Sequence, residues 1–465
     1  MTKPKIGLLP LYLELYDKGM PGLRNRMEGF YNTIARELEC RGLEVSTVPV
    51  CRLAGEFRSA IKSIEDSGAS CIVTLHLAYS PSLESAQALA STDLPIIVLD
   101  TTPAFDFGPG QVPEEIMFNH GIHGVQDMCN LLIRNGKRFG IEAGHWRESD
   151  VLDRVTSRAR ASRVAGRLQN SRIGLIGEPF AGMGDFAVPP ETLKDSLGIE
   201  TVRCNMAKLR LLAPGPSEPC VNKELAEDKG RFLLHNISRE SHIRSIRAGI
   251  AVRRWMDKEA LDGFTVNFLA IDSAFGLPTV PFLEAGKAMS RGQGYAGEGD
   301  VLTSALTGAL AGTYRETTFT EMFCPDWKNN AIFLSHMGEM NPDIASEKAE
   351  LKELPFPWTN VKKPVAAVGR FKAGDAVLVN LAPGPDGCFS LIVSAVEMLE
   401  ATGEDYMSGS IHGWFRPPVP VSNFLEAYSR AGGTHHLVLV YKAQVQDILH
   451  FGSIMGWSVI NLSTR

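Results

Sequence analysis

The chain has 465 residues, 44% of them hydrophobic and 22% charged, with a net charge of −6. That length exceeds what one hydrophobic core serves, so two or three domains are expected, and the composition excludes a disordered or fibrous chain. The acidic balance argues against a nucleic-acid partner, and no apolar run approaches the roughly 20 residues that a membrane span requires.

The first apolar run, Ile6 to Leu13, holds a proline and leads into Glu14 and Asp17, so it reads as an opening strand and not as a signal peptide. A cytoplasmic protein is expected. Lys5–Leu11 is the strand. Phe30, Tyr31, Ile34, Ala35 and Leu38 then form a helical stripe that Gly42 ends. Strands Leu43–Val50, Cys71–Leu77 and Leu94–Asp100 alternate with helices near Glu56–Ser67 and Ser82–Ala90. A helical region around Met128–Ile133 precedes the strand Arg138–Ala143. Short, fully apolar strands separated by helices predict βαβ units and a parallel sheet covered on both faces. Ser149–Gln169 reads as a connecting helix. Ser171–Gly177 (SRIGLIG) then repeats the opening pattern of Lys5–Leu9 (KIGLL), which predicts a second α/β domain in tandem.

Further on, Arg244, Arg247, Arg253 and Arg254 are interleaved with Ile243, Ile246 and Ile250 at helical spacing and read as the solvated face of a buried helix. The run Gly292-Gln-Gly-Tyr-Ala-Gly297 spells a dinucleotide fingerprint. It follows the helical segment Phe282–Ser290 where that fingerprint needs a strand, so nucleotide binding is not expected. After Thr313 helical periodicity fades. Strands Ala331–His336, Ala376–Leu381, Phe389–Val393 and His435–Tyr441, separated by Pro- and Gly-rich turns, predict an antiparallel sheet or barrel. The expected fold is two tandem Rossmann-like α/β domains (residues 1–169 and 170–315) followed by a mostly antiparallel, barrel-like domain (316–465). The eight cysteines are scattered, without a C-x-x-C pair, and read as reduced, buried thiols.

Four positions carry chemistry. Glu298 lies between Gly297 and Gly299, where backbone or ligand can approach closely. Glu321 follows the Thr-rich run from Thr317, His336 ends an apolar strand, and His435 and His436 open another. Taken singly, each has a plain structural reading: a helix cap near Asp300, a surface glutamate, a satisfied core histidine. Strand alternation further predicts that only one of His435 and His436 reaches a given site. Together, two carboxylates and two imidazoles suit a divalent cation, with Mn²⁺, Co²⁺ or Mg²⁺ favoured over structural Zn²⁺.

At these residues the chain resembles the L-arabinose isomerase and L-fucose isomerase-like sugar isomerases. Gln293–Asp300 is similar to their Gly-Glu-Gly-Asp segment, Phe319–Phe323 to their second glutamate segment, Leu334–Met337 to their Ser-His-Met, and Ala431–His436 to their Ala-Gly-Gly-(Ala or Thr)-His-His. Asn119–Gly124 and Gly144-His-Trp146 resemble two upstream runs, and Met183 with Ala187-Val188 resembles a substrate loop. The resemblance implies that Glu298, Glu321, His336 and His436 coordinate Mn²⁺ and that the two glutamates are also the acid/base pair. It implies that His120, His123, Met183 and Met337 face a monosaccharide, and that His123 reaches a neighbouring subunit's site in a hexameric or trimer-based homo-oligomer. The implied reaction is aldose–ketose isomerisation through an ene-diolate. A sugar epimerase on the same scaffold and a non-catalytic sugar-binding paralogue are the rival readings. Departures fall on the sugar-facing rim: Pro10-Leu11-Tyr12 stands for the family's Gln-His-Leu, His120 for a glutamine, and Trp414–Pro418 precedes the His-His pair.

Overall fold

The computed structural model describes residues 3–20, 22–235, 237–271, 277–400 and 403–463. The chain forms two compact units, Met1–Gly166 and Arg167–Arg465, with the division inside the helix Val151–Gln169. Among the described residues no helix is long and apolar enough to cross a membrane.

The first unit is built on five strands: β1 (Lys5–Leu11), β2 (Glu44–Thr47), β3 (Ile72–His76), β4 (Ile96–Asp100) and β5 (Phe139–Ala143). All pair in parallel, in the order β2-β1-β3-β4-β5. Alternation along β1 explains the layering. Ile6 and Leu8 join one buried cluster with Tyr31, Ile34 and Leu38 of the helix Leu23–Cys40, while Leu9 and Leu11 join another with Phe57 and Ile61 of the helix Ala54–Asp66. With both faces covered, the strand has no polar side, as predicted.

The second unit opens on the predicted repeat. Strands β6 (Arg172–Ile176), β7 (Glu200–Arg203), β9 (Gly263–Val266) and β10 (Gly294–Gly297) form a parallel sheet in the order β7-β6-β9-β10. The intervening β8 (Leu233–Leu234) joins the third sheet instead. The repeat has a packing reason. A Cβ at Gly7 would come within 2.2 Å of Ile64, and one at Gly174 within 2.4 Å of the Trp255 ring. In both KIGLL and RIGLI the glycine therefore admits a large side chain from the covering helix against the strand. The fingerprint-like run follows the helix Phe282–Ser290, as expected, and its last four residues are β10.

The third sheet adds β11 (Thr317–Asp326), β12 (Ala331–Ser335), β13 (Glu350–Glu353), β14 (Val365–Arg370), β15 (Gly374–Pro383), β16 (Phe389–Met398), β17 (Ile411–Arg416), β18 (His436–Tyr441) and β19 (Ser458–Asn461). With β8 it runs β19-β16-β15-β18-β11-β12-β17-β14-β13-β8. Most pairings are antiparallel; β8–β13, β14–β17 and β16–β19 are parallel. β16 also pairs with β17 through Glu397–Arg416 and Met398–Phe415, which links six strands into a closed circuit. This part also holds the helices Val421–Arg430 and Val445–Met455, so helical periodicity does not end at Thr313.

Two further expectations need correction. All eight cysteines are free, but Cys40, Cys324 and Cys388 are exposed. The arginines lie on the helix Arg239–Glu259 as expected, yet of the four only Arg254 is exposed; Arg244, Arg247 and Arg253 are partly buried. Arg253 is held by acids of other helices. Its guanidinium grips Glu224 through two 3.0 Å bonds and Glu284 at 2.6 Å. Buried Lys287 joins the same network, 2.7 Å from Glu224 and 2.5 Å from Asp228. Periodicity placed the helix; it carried no information about acids brought in from other helices.

Gly174→Ala is expected to destabilise the protein by about 1–3 kcal/mol, the usual cost of overpacking a filled core. Denaturant unfolding checks it, and an unchanged midpoint would contradict the close-approach role.

Candidate functional site

Strand register brings the predicted residues of the second unit together. In the sheet β11 lies between β18 and β12, with Glu321 opposite His436 on one side and opposite Ser335, next to His336, on the other. Glu298 arrives from the other sheet, immediately after the carboxyl end of β10. It adopts φ 63°, a left-handed conformation that costs energy for a residue with a side chain and that clusters at functional sites. Its backbone is held by bonds to Val266 and from Phe180, both 2.9 Å. Glycine is required on either side: a Cβ at Gly299 would meet the Pro179 backbone at 2.7 Å, and one at Gly297 would meet His336 at 2.9 Å.

Each histidine is tied at Nδ1 to a carboxylate. His436 Nδ1 donates to Asp300 (2.8 Å), His336 Nδ1 to Glu339 (2.6 Å) and His435 Nδ1 to Asp185 (2.7 Å). A carboxylate partner fixes the Nδ1–H tautomer and leaves Nε2 for the other side of the ring. There His436 Nε2 lies 3.0 Å from Glu321 and 3.4 Å from Glu298. His336 Nε2 lies 3.3 Å from Glu321, and His435 Nε2 3.8 Å from Glu298. Asp300 also caps the helix Val301–Ala311 by accepting from Thr303 N at 2.8 Å, the role that one plain reading gave to Glu298. Phe186 stacks on His436 (4.7 Å), and Phe319 meets both His336 and His436 edge-on.

Burial alone would raise the Glu298 carboxyl, but His435 and His436 hold it down at about 2. Glu321 is likewise lowered against its burial by His336 and His436. Burial would push the imidazoles down; Glu339 and Glu321 outweigh it and hold His336 up at about 10, and Asp300, Glu298 and Glu321 raise His436 well above its usual range. Two buried atoms, Glu298 Oε2 and His436 Nε2, lack a hydrogen-bond partner although they face this cluster. Glu298, Glu321, His435 and His436 each offer a ligand atom within 4.8 Å of one another, an arrangement that can hold a metal ion. The donor set of mixed imidazole and carboxylate and the two orphaned atoms both fit a divalent cation.

His435 corrects the alternation argument. It sits on a bend just before β18, so the alternation that would separate it from His436 does not yet apply, and the two rings lie 4.3 Å apart. Met337 packs at the edge of the core that contains Phe282 and Phe319. Met183 is half-buried in the connection between β6 and the helix Pro190–Leu197, two residues before Asp185. His120 and His123 belong to the first unit. His120 pairs with Tyr16 at 2.9 Å, and His123 is exposed on the helix Ile122–Arg134. Gly121 and Gly124 let this segment pack on His76. Sequence reasoning did not find the carboxylate partners. The i,i+3 spacing of His336 and Glu339 was available as a signal, and Asp300 lies beside Glu298, but nothing local marks Asp185.

Against this geometry, residues 223–313 match the family model of the L-arabinose isomerase central domain and residues 316–458 that of the L-arabinose isomerase C-terminal domain, together about half of the chain. The chain belongs to the L-arabinose isomerase family. An L-arabinose isomerase of Shouchella clausii is 24% identical over 84% of this chain and 81% of its own length. One from Herpetosiphon aurantiacus is 23% identical over 83% and 78%, and one from Levilactobacillus brevis 24% over 84% of each chain. The central-domain match contains Glu298 and Asp300, and the C-terminal match contains Glu321, His336, Glu339, His435 and His436. Asp185 lies outside both. The matched regions thus contain every member of the cluster except Asp185.

A cation that binds here needs neutral imidazoles, whereas the surrounding carboxylates hold His336 up at about 10 and raise His436. Binding is therefore expected to release protons and to weaken as pH falls, while Glu298 and Glu321 stay ionised. Calorimetric titration with Mn²⁺ in two buffers of different ionisation enthalpy checks this; identical heats would contradict it.

Proposed function

We propose that the protein is an aldose–ketose isomerase acting on a free monosaccharide with a divalent cation, Mn²⁺ (Co²⁺ or Mg²⁺ as substitutes), in a cytoplasmic homo-oligomer. The observation that carries the reading is the convergence of Glu298, Glu321, His435 and His436 on one small volume, with His336 Nε2 3.3 Å from Glu321. A binding protein has no need of ionised glutamates desolvated in this way; a proton-transfer enzyme does. Family membership and relatives named L-arabinose isomerase support it. The departures at His120 and Trp414 favour a sugar other than L-arabinose, whereas Tyr12 is fully buried in the core of the first unit and faces no rim.

Glu298, Glu321, His336 and His436 would hold the cation, with His435 as a further, more exposed ligand. When bound, the cation supplies Lewis-acid polarisation of the sugar's O1 and O2. One glutamate takes the C2 proton and returns it to C1 through an ene-diolate, and the other moves the hydroxyl proton. Burial of Glu298 beside the imidazoles limits its exchange with bulk water. Met183 and Met337 would line the sugar. His123, with His120 beside it, would be lent by the first unit of another copy, in a hexamer or trimer-based assembly with shared sites. Within the second unit, we read 170–315 and 316–465 as separate domains.

Glu298→Gln or Glu321→Gln is expected to slow turnover by about 10²–10⁴-fold, the usual worth of a general acid or base, beyond any loss of bound metal measured on the same samples. An aldose panel assayed with Mn²⁺ should give a ketose that carries solvent deuterium at C1 after turnover in D₂O. Full turnover in rigorously metal-free enzyme, or undiminished rate in a metal-loaded Glu298→Gln variant, would overturn the assignment.

For the shared site, inactive His123→Ala and inactive Glu298→Gln proteins, mixed under subunit exchange, should regain part of the wild-type rate. An active monomer in sedimentation would rule it out.

A further inference from the structure

We propose that Asp185 is a positioning residue that fixes the tautomer and direction of His435, so that His435 Nε2 is presented to the cation site; this rests on the metal-dependent reading above. The three histidines of the cluster differ in exposure. His336 and His436 are buried and locked by Glu339 and Asp300, which are themselves buried. His435 is the outlier: its side chain is 39% exposed, and it sits on a bend and not in a strand. The β18 ladder therefore does not hold its main chain, although its ring lies 4.3 Å from that of His436. What sets its direction is one oxygen. Asp185 Oδ2 accepts both the His435 backbone N–H (2.9 Å) and its Nδ1–H (2.7 Å), which orients main chain and ring together. With Nδ1 committed as a donor, Nε2 is the atom that carries the lone pair when the ring is neutral, and it lies 3.8 Å from Glu298.

The segment that carries Asp185 is itself joined to the site at three points. Phe180 N donates to Glu298 O, Asp185 holds His435, and Phe186 stacks on His436. Between the first two anchors lie Gly182, at φ 95°, and Gly184, with Met183 between them. Asp185 thus ties a glycine-rich loop to the exposed ligand position. Because the acceptor is a single oxygen, Asp185→Asn can keep both bonds while losing the charge, whereas Asp185→Ala loses both. That difference separates orientation from charge.

The test is calorimetric titration of Mn²⁺ into metal-free wild type, Asp185→Ala and Asp185→Asn, with melting of each metal-free protein alongside. Removal of a ligand's hydrogen-bonded carboxylate partner usually costs about 10–100-fold in metal affinity, so Asp185→Ala should bind Mn²⁺ about 10–100-fold more weakly. Asp185→Asn should fall between it and wild type, with melting temperatures unchanged across the three. If Asp185→Ala binds as tightly as wild type, the positioning role is wrong while the metal reading stands. If Asp185→Asn is as weak as Asp185→Ala, or if the weakening follows a lowered melting temperature, the hydrogen bond is not the cause and the role is overturned. A wild type that binds no Mn²⁺, Co²⁺ or Mg²⁺ would remove the metal reading and this inference with it.

Discussion

A carboxylate taken out of water must find donors, and in the second unit Glu339, 1% exposed, finds three: the Tyr295 hydroxyl at 2.6 Å, the Gly338 amide at 2.8 Å and His336 Nδ1 at 2.6 Å. Asp300, fully buried, divides its two oxygens between a helix N-terminus and His436. These demands set the orientation of the imidazoles, and the imidazoles in turn set the electrostatics of Glu298 and Glu321. The reactive face of the cluster is thus a consequence of how acids behind it are satisfied. Removing such an acid would not merely weaken a bond; it would free the ring's tautomer.

The same rule operates away from the site. Glu224, Asp228 and Glu284 are buried among the helices Pro219–Arg231, Arg239–Glu259 and Phe282–Ser290, and Arg253, Lys287, Arg291 and His242 answer them. There every charge is hydrogen-bonded within the protein, whereas at the site Glu298 Oε2 and His436 Nε2 face each other at 3.4 Å without a hydrogen bond. Pairing among all members marks a structural network; leftover ligand atoms facing one another mark a place kept for something else.

Backbone strain and close packing complete the arrangement. Glu298 holds a left-handed conformation between two glycines whose missing side chains leave room for His336 and for the Pro179 backbone. The strain is tolerated because β10 is paired with β9 on one side and the Phe180 segment bonds back to Glu298 on the other. A similar economy of glycine at Gly7 and Gly174 lets a covering helix seat on the opening strand of each parallel sheet.

Much of this was legible in the residues. Local periodicity located β1, the helices that cover it, the repeat at β6 and strands β12 and β18, because burial on one or both faces imprints a period on neighbouring residues. The motif-bearing positions Glu298, Glu321, His336 and His436 could be named from their surroundings and resemblance. Tertiary structure alone decided which groups meet. Glu321 faces His436 because β11 pairs with β18, a register that bridges more than a hundred residues of chain. Arg253 turned inward, His435 reached the site from a bend, and Asp185 became its partner across 250 residues. Periodicity reports which side of an element is buried. It is silent about which distant charge waits there, because a hydrogen bond between remote residues leaves no local pattern in either.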